Sequence, residues 1–302
     1  MMSTKNKLLC LFVFLFFIVI YLFHDTSTEI MLKLRIPRFL MAIFIGAGLS
    51  VSGVVFQALL RNPLAEPYTL GIAGMVVLFV NLNAFLGLPN FLAAMLGVVI
   101  AVIIIFGVIR QKKYSITHIL LIGIMLNIFS VSVVEFFVNL IEYTHFFSTR
   151  AWLMGSLASL PLNWIFPVTL VAIIVIGSIV FFYKEATTLD ILSLGEKEAI
   201  YLGIDVKKKQ SLFFIIASIV SGVCVSYTGI IGFVGLMIPH IMRAMIGPRH
   251  RGLILGVSFL GGGYLLISDF LAKNIFYPKE LSVGVITGII GAIFFFYLIL
   301  KR

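Results

Sequence analysis

Glu135 and Asp269 are acids set inside long apolar runs, each toward one end of its run. An acid buried at the centre of a lipid span costs about 2.5–3.5 kcal/mol, so such residues are functional candidates by default. Near the end of a run, water or a neighbour satisfies the charge, and Asp269 reads as a structural hydrogen-bonding group. Asn81, Asn83, Met125 and Asn127 are candidates for a solute path or for a contact with another helix. His240 invites a reading as a haem ligand. It follows Pro239, however, and a proline in a helix frees carbonyls that need partners, so helix-break chemistry is the better reading. His145 and Arg150, between two runs in 142–160, are candidates for a gate or for solute contact, together with Asn127 and Glu135.

Signatures of catalysis are missing. There is no His-Glu-x-x-His, no pair of aspartates, and no Ser–His dyad signature in facing runs. The Gly-x-x-x-x-Gly-Lys-Ser/Thr loop that cradles nucleotide phosphates is absent, as is any Gly-Lys pair. Cys10 and Cys224 lie far apart inside apolar runs and make neither a disulfide framework nor a metal motif. The chain therefore reads as a non-enzyme without a cofactor or metal of its own.

The elements that must position these residues follow from composition. Of 302 residues, 61% are hydrophobic and only 11% charged, and the mean hydropathy is +1.18. A soluble chain of this length needs a polar surface that so few charges cannot cover. The expected class is an all-α polytopic membrane protein, a single domain over 1–302. The net charge of +10 does not indicate nucleic acid, because the basic residues lie in short segments between apolar runs. Anionic headgroups and membrane orientation explain them better.

A spanning helix needs about 20 apolar residues. The runs that meet this are 8–23, 39–60, 69–88, 91–109, 116–141, 162–183, 211–228, 230–246, 253–272 and 281–300, about ten in all, several broken by Gly or Pro. The first has Lys5 and Lys7 before it but no small-x-small cleavage site, so it is expected to remain as a helix. With both termini in the cytoplasm, Lys33, Arg35, Arg38, Arg150, Lys273 and Lys279 fall outside and the remainder of the 22 basic residues inside, as the positive-inside rule requires. Arg35 and Arg38 are exceptions, on an exterior segment that orientation alone would keep poor in cations. Glycines such as Gly46, Gly48, Gly53 and Gly261–Gly263 read as close-packing positions between helices.

The longest interior segment, 184–210, contains Ser193-Leu194-Gly195-Glu196, which matches a capping box. It predicts a short helix over 196–202, capped by Ser193 and stopped by Gly203 at the C′ position. Apolar Ala199, Ile200 and Leu202 beside Glu196, Lys197 and Glu198 suit either a lipid surface or a cytoplasmic partner.

Several stretches resemble one family. Arg35-Ile36-Pro37-Arg38, Gly46 to Gly53, and Gln57-Ala58-Leu59-Leu60-Arg61-Asn62-Pro63-Leu64-Ala65-Glu66-Pro67 are similar to the opening signature of the FecCD permeases, membrane subunits of type II ABC importers. Ser193-Leu194-Gly195 with Leu202-Gly203-Ile204, Gly232-Phe233-Val234-Gly235-Leu236 with Pro239-His240, Asp269, and Glu280-Leu281 with Val283-Gly284 extend the likeness to the C-terminus. The resemblance implies about ten helices and a second permease copy, in a homodimer or paired heterodimer. It also implies two cytoplasmic ATPase subunits that hold ATP and Mg, and an extracytoplasmic substrate-binding protein. The location implied is the bacterial cytoplasmic membrane, and the cargo an iron-siderophore complex, haem or cobalamin.

Residue by residue, Arg35 and Arg38 match the arginines that meet glutamates of the binding protein, and Lys273 a third docking cation. The 184–210 segment, with Ser193, Gly195, Glu196, Ala199, Leu202 and Gly203, matches the part that couples to the ATPase. One departure is a shorter stretch between the first span and Arg35. A secondary transporter, the main rival, would want acids near mid-membrane and paired broken helices, whereas the acids here are peripheral.

Overall fold

The computed structural model describes residues 31–109, 116–140, 154–158 and 163–300. The first expected span, 8–23, lies outside the described residues, as do His145 and Arg150. Every other expected span coincides with a helix. In chain order these are α1 (Ile36–Leu60, entered through a π-helical turn Met31–Arg35), α2 (Ile72–Leu86), α3 (Asn90–Ile109), α4 (Ile116–Leu140) and α5 (Ile165–Lys184). Two short helices follow, α6 (Ala186–Leu194) and α7 (Glu196–Tyr201), then α8 (Val206–Thr228), α9 (Val234–Ile246), α10 (His250–Asn274) and α11 (Val283–Leu300). Among the described residues seven helices are long and apolar enough to cross a membrane, and two shorter apolar helices lie over Ile72–Asn83 and Val234–Ile246.

α1 is the axis of the bundle. It is apolar on all sides, and from Ile45 to Leu60 every residue is buried. α10 runs antiparallel along it, and α5, α6, α8 and α9 complete its surroundings. α2 pairs with α3 and α4 as a second group, joined to the first through α8. Contact is closest where backbones meet without side chains. A β-carbon on Gly46 would overlap the Gly261 carbonyl of α10, and one on Gly53 the Gly235 carbonyl of α9. Gly177 on α5 has nothing within 4 Å, so close packing is not what every glycine of the chain supplies.

The turn after α1 explains its polar sequence. Arg61 closes the helix in the left-handed region (φ 47°), and the Asn62 N–H reaches back to the Gln57 carbonyl at 3.2 Å. This is a Schellman closure with arginine where glycine is usual. Asn62 Oδ1 then accepts the Leu64 N–H at 2.9 Å, and Thr69 Oγ1 accepts the Glu66 N–H at 2.9 Å. The result turns Glu66 inward, where it is buried near the start of α9.

Three expectations are corrected. The capping box does not form: Ser193 ends α6, donating its hydroxyl to the Asp190 carbonyl at 2.6 Å, and Gly195 (φ 150°) occupies the N-cap of α7 without a side-chain cap. A β-carbon on Gly195 would collide with the Glu198 carboxylate, so Glu198 and not Glu196 folds back over this corner. Secondly, Pro239 does not break its helix: α9 runs on through it, and the carbonyl it leaves without a helical donor, that of Gly235, is taken up by Gln57. Thirdly, the helix begins before the expected span at 39, so Arg35 and Arg38 lie in the helical entry and first turn of α1.

Candidate functional sites at the two ends of the bundle

At one end α1 begins and α10 finishes, and their charges meet. Arg38 Nε lies 3.0 and 2.8 Å from the two oxygens of Asp269, and Nη2 lies 2.8 Å from Oδ1. Its remaining terminal nitrogen, Nη1, donates to Glu280 Oε2 at 2.8 Å. Asp269 is fully buried, while Glu280 is 39% exposed. Lys273, one turn beyond Asp269, and Arg35, one turn before Arg38, are half-buried beside this pair. Two of its nitrogens hold α1 to α10, and the third bonds Glu280 on the more exposed side. Asp269 is thus the structural partner that its place near the end of a run predicted.

At the opposite end α6 and α7 form a ledge. Ala186, Leu189 and Leu192 are buried beneath α6, and Ala199 is buried beneath α7. Leu194, Ile200, Tyr201 and Leu202 point away, with Tyr201 89% exposed. Ser193, Glu196 and Gly203 are exposed around them, and Gly203 (φ 79°) stops the helix as expected. Ala199 and Gly195 are buried, so they shape this surface from below. The ledge is anchored on one side by Lys209 Nζ, 2.7 Å from Glu185 Oε1. That ammonium holds the Glu185 carboxyl below the usual carboxylate range, with a smaller contribution from the Thr188 hydroxyl.

On its other side the ledge meets α10. Asp190 Oδ1 lies 2.9 Å from the His250 backbone nitrogen and 2.6 Å from its ring Nδ1.

Between the ends, polar side chains close defects in distant helices. Pro239 cannot donate to the Gly235 carbonyl four residues earlier. Gln57 Nε2 does so instead at 3.1 Å, while its Oε1 accepts from Arg243. Asn127 Oδ1 accepts the Gly74 N–H at 3.1 Å, and its Nδ2 donates to the Tyr68 carbonyl. Gly74 is in the first turn of α2, whose own N-cap, Gly71, has no side chain to offer. The Asn127 amide thus ties α4 to the start of α2 and the turn before it. Asn83 likewise ties the α2–α3 turn to Leu88 and Asn90. Glu135 is half-buried on α4, and Met125 is exposed. His240 packs edge-on to Phe294 and Phe295, at 5.9 and 6.4 Å between ring centroids. Among the described residues no three His, Cys, Asp or Glu side chains gather as a metal site.

Gln57, Asp190 and His250 were not singled out from sequence as functional residues. Their partners lie 178 and 60 residues away, beyond any local pattern.

The chain is similar to known proteins along most of its length. The profile of the FecCD transport family matches residues 6–301. The hemin transport permease HmuU of Yersinia pestis is 32% identical over 288 residues, 92% of this chain and 85% of that protein. A vitamin B12 import permease of Vibrio vulnificus is 35% identical, over 90% of this chain and 83% of its own length. The iron(3+)-hydroxamate import permease FhuG of Bacillus subtilis is 32% identical, with 90% and 84% covered. Among solved structures, an ABC transporter assigned to the metal-chelate type, in an inward-facing conformation, superposes with a TM-score of 0.84 at 27% identity. The match spans 99% of this chain and all of that one.

Proposed function

The chain belongs to the FecCD transport family, and we propose that it is the membrane-spanning subunit of an ATP-driven importer that carries an iron chelate, a siderophore complex or haem, across the bacterial cytoplasmic membrane. The observation that carries this reading is the ledge. Four large apolar side chains, Leu194, Ile200, Tyr201 and Leu202, stand exposed among charged residues on a segment between spans. Such a patch marks a protein contact. A chain without a phosphate-binding loop needs a partner that has one. Two ATPase subunits dock there, with Ser193, Glu196 and Gly203 at the edge of the contact, and ATP and Mg stay on those partners. A second permease copy, in a homodimer, completes the path. Lys184, Lys197 and Lys207 to Lys209 on the ledge make that side cytoplasmic by the positive-inside rule.

At the outer end Arg35, Arg38 and Lys273 receive an acidic substrate-binding protein. Charges of this kind speed encounter over a Debye length of about 8 Å at physiological salt, so docking weakens as salt rises. Lys273 presents a point charge where arginine would present a fork. Arg35→Glu combined with Lys273→Glu leaves the Arg38–Asp269 pair in place and is expected to slow association with the binding protein. Surface-plasmon kinetics at low and high salt check this, and an unchanged on-rate refutes the docking role.

Tyr201→Asp is expected to weaken capture of the ATPase by about thirtyfold, the ~2 kcal/mol that defines a binding hot spot. Membrane insertion and the Tm of the isolated permease should stay as they are, because Tyr201 packs on nothing beneath it. Co-purification and thermal unfolding read the two quantities separately. Cargo is tested in vesicles holding permease, ATPase and binding protein, given ferric hydroxamate, haem or cobalamin in turn. ATP-dependent accumulation of an iron chelate supports the reading. Cobalamin uptake would favour the second reading, which rests on the 35% identity to a B12 permease.

A further inference from the structure

α10 is a single unbroken helix of 25 residues, about 38 Å long at 1.5 Å per residue. Its first turn has orphan N–H groups that a side chain normally satisfies from the N-cap position. Here the N-cap is Arg249, which makes no such bond. The bond comes from α6: Asp190 Oδ1 accepts the His250 N–H at 2.9 Å and faces His250 Nδ1 at 2.6 Å. His250 is buried, 5% exposed at its side chain. A helix of the ledge thus supplies the cap of a transmembrane helix. The far end of α10 is fixed just as firmly, through Asp269 to Arg38. Midway, Gly261 presses on Gly46 and Ser50 of α1.

Other contacts also leave the ledge, since α6 packs on α1 as well as on α10. α5 runs into it through Glu185, which keeps helical bonds to Phe181 and from Leu189, and Asp205 caps α8 where it leaves. The Glu185–Lys209 bridge to α8 is part-exposed, with side chains 24% and 33% accessible, and exposed ion pairs contribute little.

From this arrangement we propose that Asp190 and His250 are positioning residues for transport. They form the joint by which displacement of α6–α7 is passed to α10 and along it to the Arg38–Asp269–Glu280 cluster. This rests on the reading of the ledge as the ATPase contact. The capped rod carries this movement alongside the spans flanking the ledge, α5 and α8. A chain of packed and hydrogen-bonded groups that both ends can bias is what coupling across this distance requires.

The test uses the whole complex of permease, ATPase and binding protein in vesicles. It measures ATP hydrolysed and cargo accumulated, the cargo being whichever of ferric hydroxamate, haem or cobalamin the wild type takes up. Asp190→Ala and His250→Ala are expected to keep ATPase capture and hydrolysis while cargo moved per ATP falls about tenfold, the loss of one buried hydrogen bond from the coupled state. His250→Asn, whose amide donates from near the Nδ1 position, should restore most of the ratio. If Asp190→Ala does not insert, Asp190→Asn, which keeps an acceptor for the backbone N–H but loses the charge, carries the same comparison with a smaller drop. An unchanged ratio in the alanine variants overturns the joint. So does a fall in hydrolysis and uptake together, in step with folded permease, because that is the signature of a staple and not of a transmitter. Wild-type vesicles without ATP-driven uptake would remove the importer reading, and the joint with it.

Discussion

Arg38→Ala or Asp269→Ala is expected to cost about 3–5 kcal/mol, the penalty for orphaning one member of a buried ion pair. Asp269 is fully buried and takes two nitrogens of one guanidinium, so its carboxylate has no water to fall back on. Thermal unfolding of the detergent-purified permease should show a large drop in Tm for both single variants. The double variant Arg38→Met with Asp269→Leu is the informative one. Replacing a buried pair with apolar groups of similar size is often neutral or stabilising, so its Tm should return near that of the wild type. It would then separate the two roles of Arg38. A stable double variant that no longer binds the substrate-binding protein assigns docking to the guanidinium itself. A double variant as unstable as the singles would show that the pair is not the strut described above.

Gly53→Val is expected to yield no folded permease, and Gly53→Ala to lose about 1–3 kcal/mol through overpacking. A β-carbon at Gly53 overlaps the Gly235 carbonyl, a backbone atom that cannot rotate away. The same carbonyl is the one left without its helical donor by Pro239 and taken up by Gln57. Pushing α1 and α9 apart therefore breaks a buried hydrogen bond as well as the contact. Gly177→Ala is the control, since nothing lies within 4 Å of that site, and it should leave Tm unchanged. Equal effects at Gly53 and Gly177 would remove the argument.

The spans were legible because lipid demands a fixed length of apolar chain, and that demand is written in consecutive residues. What sequence could not display is how the ends and breaks of those helices are closed. Asn127 caps α2 from 53 residues away, Asp190 caps α10 from 60, and Gln57 repairs α9 from 178. Each is a long-range pairing with no periodic trace. The misreading at Ser193 has a different cause. Ser-x-x-Glu fits a capping template whenever the preceding residues are not helical. Here they are, and Ala186, Leu189 and Leu192, spaced by three and all buried, carried the signal that a helix already occupied 186–194. Arg35, Arg38 and Lys273 were correctly drawn to one end of the chain's spans. The second bond of Arg38, to Glu280, depended on the turn after α10 and had no local signature.

The complete enclosure of α1 from Ile45 to Leu60 limits how two copies of this permease can assemble. With every face of that stretch occupied by its own chain, no side chain there is left to touch a twin subunit or to line a channel between twins. The seam and any conduit along it must be built from the outward sides of the surrounding helices. Under the proposed function, this enclosed helix is insulated from whatever the subunit carries.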